Sequence, residues 1–267
     1  LDRAEAEELP LSKVRQLAKS RKRELKTENV RGKAEKRVIS QDMDIRQGDC
    51  MDVIHSLADH SIDLLLTDPP YHVTENEWDM WDTEDDYWQF MQSWLAALRP
   101  KMAEQYNAFI FCDADASPRL AATLLDTGWD VLRQAIWFRP NLAKKRSGSL
   151  TFQSSYEPFW HCGTRGLAFP EEWGDERFDV QKYTVPQSNH VEDKSYHPTQ
   201  KPVALFERLV SLGSSQGDVI FDPFCGGGTT AVAAMRKDVR CITCDLSEEY
   251  IEITNGRVAN EQGATQQ

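Results

Sequence analysis

The sequence lacks the features that mark several large classes of protein. No apolar run approaches the ~18 uninterrupted residues of a membrane span, and no apolar core of a signal peptide lies near residue 1. The 6 cysteines are scattered through predicted strands and loops, which is not the pattern of a disulfide framework and indicates a reducing compartment. We therefore expect a cytoplasmic protein that does not associate with membranes.

The usual spacings of metal ligands are also absent from the sequence. Cys241 and Cys244 are separated as in a metal or redox pair, but no second pair lies at the spacing of a zinc site. Both residues fall inside an apolar run that predicts a buried strand. We therefore interpret them as structural cysteines and expect no bound metal.

Basic residues are too few to give the chain the positive charge typical of many nucleic-acid-binding proteins. The formal net charge is -12, but the charge is unevenly distributed. Residues 1–37 contain 12 Lys or Arg against 7 Asp or Glu, and residues 139–166 contain 5 Lys or Arg against a single Glu. Because phosphates respond to local clusters of positive charge, this composition permits nucleic-acid binding without arguing for it.

Apolar runs alternate with segments of helical periodicity, which predicts an α/β fold. The helix predicted over 85–98, for example, has buried-type residues at spacings of three and four and ends before Pro100. Other helices are predicted over 50–57, 117–125, 202–212 and 229–235. Strands are predicted near residue 45 and over 62–67, 108–112, 131–138, 156–162, 219–221 and 240–244.

A first motif, Asp-Pro-Pro-Tyr at residues 68–71, closes the apolar strand predicted over 62–67. It offers a carboxylate, two conformationally restricted carbonyls and an aromatic face at the carboxyl end of a strand. These groups suit the exocyclic amino group of a flat ring. The alternative is that the motif is only a turn that ends a strand.

A second motif, residues 222–230, follows the strand predicted over 219–221 and contains three consecutive glycines. A glycine turn before a helix N-terminus suits a small anionic ligand, and Thr229 or Thr230 is expected to cap the helix. Asp245 lies 23 residues after Asp222, where dinucleotide-binding folds place the acid that accepts ribose hydroxyls. A plain turn is the alternative. Both motifs are expected to open onto one crevice, because open α/β sheets bind ligands at the carboxyl ends of their strands.

The two motifs, in this order, resemble those of beta-class DNA amino-methyltransferases, which transfer a methyl group from S-adenosylmethionine to N6 of adenine or N4 of cytosine. Gly-Asp-Cys at 48–50 and His-Pro-Thr-Gln-Lys-Pro at 197–202 are further matches. The resemblance covers roughly residues 42–258. It implies a Rossmann-like S-adenosylmethionine-dependent methyltransferase fold: a mostly parallel sheet with helices on both faces, plus a short irregular target-recognition insertion.

The resemblance also implies roles for particular residues. The expected catalytic residues are Asp68, Pro69, Pro70 and Tyr71. The expected cofactor-binding residues are Asp49, Cys50, Asp68, Lys201, Asp222, Phe224, Gly226, Gly228, Thr229, Thr230 and Asp245, of which Asp49 is also suited to cap the helix over 50–57. The residues expected to contact DNA are Arg139, Lys144, Lys145, Arg146 and Arg165. Asp68 and the Pro69 carbonyl would polarise the amino group of a flipped-out base, Tyr71 would stack on that base, and Lys201 would lie close to the methionine part of the cofactor.

Composition and resemblance together divide the chain into five parts. These are a basic helical extension (1–41), a catalytic half (42–162), a target-recognition insertion (163–196), a cofactor-binding half (197–258) and a tail (259–267). The expected partners are double-stranded DNA and a second copy of the chain, in a nucleoid-associated protein of bacterial or phage type. Whether a cognate restriction endonuclease accompanies it stays open.

Several alternatives also stay open. Adenine is favoured over cytosine only by the resemblance at Asp68, since both bases present an amino group beside a ring nitrogen. A second alternative is a methyltransferase that acts on protein glutamine or on RNA, but those enzymes usually carry the glycine motif before the catalytic motif, unlike this chain. A third is a non-enzymatic binding module, which would not need both motifs intact. The acidic segment 72–86 has no assigned role.

Overall fold

The computed structural model describes residues 43–73, 79–142, 152–169, 177–187 and 199–265. The predicted N-terminal extension, the basic residues Lys144, Lys145 and Arg146, and His197 and Pro198 of the hexapeptide lie outside these ranges. Within them, no helix is long and apolar enough to cross a membrane.

Eight strands form one sheet in the order β1-β8-β7-β2-β3-β5-β4-β6. They are β1 Met43–Gln47, β2 Ile62–Thr67, β3 Met102–Phe111, β4 Val131–Phe138, β5 Tyr156–Gly163, β6 Val180–Lys182, β7 Val219–Asp222 and β8 Arg240–Asp245. Strand β5 is antiparallel to both of its neighbours, and all other pairs are parallel. The predicted mostly parallel sheet is confirmed.

The helices are α1 Cys50–Ser56, α2 Glu84–Leu98, α3 Ser117–Asp126, α4 Val203–Gly213, α5 Thr229–Arg236 and α6 Glu248–Thr265. Successive side chains along β2 face opposite sides of the sheet, as in any β-strand. Leu65 packs with buried residues of α1, α2 and α3, whereas Leu64 and Leu66 pack with those of α4 and α5. The predicted arrangement of helices on both faces is therefore confirmed.

Most predicted elements are present, with three informative differences. Strand β3 begins six residues before the prediction, at Met102. Residues 180–182 of the expected irregular insertion form β6, which pairs in parallel with the end of β4. Helix α6 was not predicted, and it includes residues 259–265, for which the sequence predicts a tail. Its polar composition leaves only a thin apolar stripe, represented by the buried Ile251 and Val258.

The strand β5 forms even though it contains Pro158. Strands inside a sheet rarely contain proline, because the ring removes a backbone donor. Here the Pro158 carbonyl still accepts a hydrogen bond from the backbone N–H of Cys112 at 3.1 Å. Residues on both sides of Pro158 pair with β3 or β4, so the loss of one donor does not interrupt the sheet.

Candidate functional site

The two sequence motifs line one cleft of about 350 Å³ at the carboxyl ends of neighbouring strands. The first motif follows β2 and the second follows β7, and these strands are paired in parallel. The shared crevice expected from the sequence is confirmed. The predicted site residues that line it are Asp49, Cys50, Asp68, Pro69, Pro70, Tyr71, Lys201, Asp222, Phe224, Gly226, Thr229, Thr230 and Asp245.

Asp222 joins the two motifs beneath the cleft. It is only 3% exposed, and it accepts hydrogen bonds from Thr67 Oγ1 at 2.8 Å, Thr230 Oγ1 at 2.5 Å and the N–H of Phe224 at 3.1 Å. Burial raises the pKa of this carboxyl to about 6, although the three donors oppose the shift. The carboxylate was expected to bind the cofactor, but its hydrogen bonds show that it also fixes the glycine turn against β2.

The glycine turn is shaped by backbone geometry that side chains would prevent. Gly228 precedes α5 with φ of 77°, a left-handed conformation that favours glycine. A Cβ there would lie 2.6 Å from Thr254 Oγ1. The prediction that Thr229 or Thr230 caps this helix is wrong. Gly228 occupies the cap position, so the two hydroxyls point to the protein interior, where they reach the Lys201 carbonyl and Asp222.

Asp245 lies at the end of β8 and closes the other side of the turn. One of its oxygens accepts from the N–H of Gly226 and the other from the N–H of Ser247, each at 2.9 Å. Burial raises the pKa of this carboxyl, and the backbone donors oppose the shift. Each carboxylate oxygen has a second lone pair, so the group retains acceptor capacity toward the cleft.

The adenine end expected for the cofactor site is built from α1 and an aromatic cluster. Asp49 caps α1 by accepting from the N–H of Met51 at 2.7 Å, and Cys50 follows it as a buried thiol whose pKa burial raises to about 12. The Phe224 ring packs edge-on against Phe90 and Trp94, with centroids 6.0 and 5.3 Å apart. The capping role of Asp49 is confirmed.

Among the described residues, the Asp68 carboxylate has two hydrogen-bond partners. The Tyr71 hydroxyl donates to Oδ1, and the Lys201 ammonium lies 2.5 Å from Oδ2. Burial raises the pKa of Asp68, and Lys201 counteracts this effect. The Tyr87 hydroxyl holds the same turn by donating to the Pro70 carbonyl at 3.1 Å.

Lys201 is held between two carboxylates rather than pointing freely into the cleft. Its side chain is 3% exposed, and its ammonium lies 3.0 Å from Glu157 Oε2 as well as 2.5 Å from Asp68 Oδ2. Burial lowers the pKa of Lys201, but the two carboxylates outweigh it and raise the pKa above its usual value. Glu157 was not predicted as a site residue. It lies 44 positions before Lys201 in the sequence, and no spacing pattern links residues so far apart.

Asp79 is a second residue that sequence reasoning did not identify. It is 1% exposed and accepts hydrogen bonds from three consecutive backbone N–H groups, those of Tyr71, His72 and Val73, at 2.7, 2.6 and 2.9 Å. His72 has φ of 58°, an uncommon value for a residue with a side chain. The Asp79 carboxylate therefore fixes the backbone directly after the first motif, which gives one residue of the acidic segment a structural role.

Two of the arginines expected to contact DNA are engaged inside the protein. Arg139 lies at the edge of the sheet that carries the cleft, but it pairs with Glu157 at 2.6 Å and is 17% exposed. Arg165 pairs with the fully buried Asp218 at 2.5 Å, just before β7 begins. The cleft lies at the carboxyl ends of the parallel strands, whereas Asp218 and its partner Arg165 lie at the amino end of β7. The structure therefore does not bring Arg165 to the site.

The two cysteines with metal-like spacing are buried on β8 and carry free thiols. Cys241 packs in the cluster with α4 and α5, whereas Cys244 packs in the cluster with α1 and α2. Residues three apart on a strand face opposite sides of a sheet, so the two sulfur atoms cannot share a ligand. The interpretation of these residues as structural cysteines is confirmed.

Comparison with known proteins matches the chain to a DNA methylase family and to type II methyltransferases. The family model for N6/N4 methyltransferases, described as DNA methylase, matches residues 62–256. The type II methyltransferase M2.MboI of Moraxella bovis is 25% identical over 236 residues, which covers 80% of this chain and 86% of that protein. The type II methyltransferase M1.MboII of the same organism is 24% identical over 247 residues, covering 79% and 94%.

Solved structures have the same fold. The crystal structure of the M1.HpyAVI–SAM complex superposes with a TM-score of 0.65 at 22% identity, covering 81% of this chain and 98% of that one. The PvuII DNA methyltransferase, described as cytosine-N4-specific, gives a TM-score of 0.69 at 17% identity, covering 81% and 86%. At these identities the likeness concerns the fold, and it confirms the predicted fold class.

Proposed function

The chain belongs to the family of N6/N4 DNA methylases, and from that premise we propose that it methylates N6 of an adenine flipped out of double-stranded DNA. That the protein is an S-adenosylmethionine-dependent DNA amino-methyltransferase follows from the family itself. The choice of adenine, the flipping of the base and the roles of individual residues constitute the proposal.

The observation that carries the proposal is the single cleft shared by Asp68 and the glycine turn. An exocyclic amine is a poor nucleophile, because its lone pair is delocalised into the ring. Asp68 and the Pro69 carbonyl accept hydrogen bonds from its two N–H groups and direct the lone pair outward. The nitrogen would then attack the sulfonium methyl carbon in line as its bond to sulfur breaks, without a covalent enzyme intermediate, and alignment of the reactants would supply much of the acceleration.

The residues around the glycine turn fit S-adenosylmethionine, which supplies a methyl group on a sulfonium when bound. The cleft volume of about 350 Å³ lies in the range of small-molecule sites. The backbone N–H groups at the start of α5 suit the methionine carboxylate, since the helix N-terminus carries partial positive charge. Asp245 has acceptor capacity for the ribose hydroxyls, and Phe224 and Asp49 stand where the adenine would lie.

Base flipping is proposed because the acceptors lie inside the cleft. An amino group in a stacked duplex cannot reach Asp68, so the base must leave the helix. The Tyr71 ring, held by its hydroxyl bond to Asp68, is the proposed stacking surface for the base. Assembly as a homodimer and a location on the nucleoid in the cytoplasm remain predictions.

The test is identification of the modified nucleoside. The protein is incubated with labelled S-adenosylmethionine and unmethylated genomic DNA, the DNA is digested to nucleosides, and the products are separated by mass spectrometry. N6-methyladenine as the main product supports the proposal, and Asp68→Ala should yield no product while cofactor binding stays within a few fold.

Cytosine N4 is the second candidate. It is favoured by one observation, the likeness to a structure described as cytosine-N4-specific. Mainly N4-methylcytosine in the same digest would overturn the assignment of adenine and leave the family assignment intact.

A further inference from the structure

A row of four charged side chains extends from Asp68 in the cleft to Arg139 at the end of β4. Asp68 Oδ2 lies 2.5 Å from Lys201 Nζ, which lies 3.0 Å from Glu157 Oε2, and Glu157 Oε1 lies 2.6 Å from Arg139 Nη1. The row joins one residue of β5 to residues that follow β2, follow β4 and precede α4. Its two carboxylates balance its two cations, so an added proton makes the cluster net positive.

Methylation of an amino group creates such a proton. The nitrogen gains a bond to carbon while it still holds two hydrogens, so one proton must leave as the product forms. Asp68 is the acceptor at the cleft, but a base seated in the cleft separates it from bulk water. Lys201, the neighbour of Asp68 in the row, is 3% exposed.

We propose that Lys201 and Glu157 carry this proton from Asp68 to the surface; the inference rests on the proposed methyl transfer. As the nitrogen–carbon bond forms, one N–H bond of the amino group breaks and Asp68 takes the proton. Lys201 gives a proton to Glu157 Oε2 and receives the one held by Asp68 Oδ2. Lys201 is then again an ammonium, Asp68 again a carboxylate, and Glu157 is neutral until water takes its proton. No electrons are exchanged.

The geometry of Glu157 suits a proton acceptor better than a passive ion pair. Its Oε1 is held by Arg139, whereas its Oε2 is buried and, among the described residues, forms no hydrogen bond of good geometry although it lies 3.0 Å from the Lys201 ammonium. Oε2 therefore keeps an unused lone pair, and the Lys201 ammonium must shift slightly before it can donate there. The Glu157 side chain is 18% exposed, against 20% for Asp68 and 3% for Lys201. Asp68 lines the cleft and Glu157 does not, so Glu157 keeps its exposure when a base covers Asp68.

The test measures a single turnover of methyl transfer on duplex DNA with saturating labelled cofactor. Glu157→Gln should slow this step about 100-fold, since general acid–base groups typically contribute 100- to 10,000-fold, while cofactor affinity stays within about threefold. Glu207→Gln is the matched control, because Glu207 forms an ion pair with Arg236 away from the cleft. It should react at the rate of the wild-type protein.

A second variant separates proton transfer from a structural role. With Glu157→Ala, small carboxylates such as formate and acetate should restore the rate, and the restored rate should rise with the basicity of the carboxylate. Restoration by chloride to the same extent, or an unchanged rate in Glu157→Gln, would overturn the inference. A wild-type protein that methylates no base would instead overturn the proposed function, and methylation of cytosine would leave the relay open to the same test.

Discussion

Replacing Asp222 with Asn should stabilise the free protein at neutral pH. The carboxyl titrates near 3.8 in an unfolded chain and at about 6 in the folded one, because burial disfavours its ionised form. At a pH between these two pKa values, the carboxyl therefore holds a proton in the folded state and has lost it in the unfolded state. Stability from this group is present below pH 4 and is lost as pH rises through 6. The shift of about two pH units corresponds to about 3 kcal/mol.

The amide of Asn suits the site, because it has nearly the same shape. Its oxygen can accept from Thr67 Oγ1 and the Phe224 N–H, and its NH₂ can donate to Thr230 Oγ1. The Thr230 hydroxyl then donates to the Leu66 carbonyl, which lies 3.4 Å away. The variant therefore keeps the hydrogen bonds and removes the buried charge.

Urea unfolding followed by circular dichroism, without cofactor, measures the effect. Asp222→Asn should exceed the wild-type protein in free energy of unfolding by about 3 kcal/mol at pH 8, and this advantage should be about 1.5 kcal/mol smaller at pH 5. The exposed Asp115→Asn serves as the control and should show no such dependence. A variant less stable than wild type at pH 8, or an advantage that does not change with pH, would refute the reasoning.

Three further substitutions test other parts of the site. Asp79→Asn should slow methyl transfer about 10- to 100-fold with cofactor affinity unchanged, because one charge-assisted bond to the backbone contributes about 1.5–3 kcal/mol. Single-turnover rates measure this effect, and Asp82→Asn, at an exposed position, is the control. Arg165→Ala should lower the free energy of unfolding by about 3 kcal/mol, as expected for a broken buried ion pair, and should leave the salt dependence of DNA binding unchanged in a filter-binding titration. Asp245→Ala should weaken cofactor binding about 10- to 100-fold in calorimetry, whereas Asp68→Ala should not, and the reverse pattern would exchange the two assignments.

The sequence predicted the strands that carry the site because their signals are local. An apolar run that ends in Asp-Pro-Pro-Tyr or in a glycine turn identifies a strand end, and parallel strands place such ends at one edge of a sheet. The cleft itself could therefore be anticipated. The roles of Thr229 and Thr230 could not, because the choice between capping a helix and bonding to Asp222 depends on contacts across β2 and β7.

The same limit applies to the charged residues. Arg165 was expected to contact DNA because it lies in a basic stretch, but its partner Asp218 is 53 residues away. Glu157 and Asp79 belong to no recognisable sequence motif. Only the fold brings Glu157 to Lys201 and Asp79 to the backbone of Tyr71. Helix α6 was not predicted for a different reason. Its apolar stripe is so narrow that the segment has the sequence pattern of a polar tail.

The sheet order has a consequence for how the chain folds during synthesis. Strand β1 is the first described element, and among the described strands its only partner is β8, whose paired residues the ribosome delivers 198 residues later. Strand β2 likewise waits for β7 on one side. Contacts between residues so distant in sequence slow folding, and unpaired strand edges favour aggregation in the interval. We therefore expect a nascent chain that still lacks β8 to depend on chaperones, and the domain to complete its sheet only when β8 has left the ribosome.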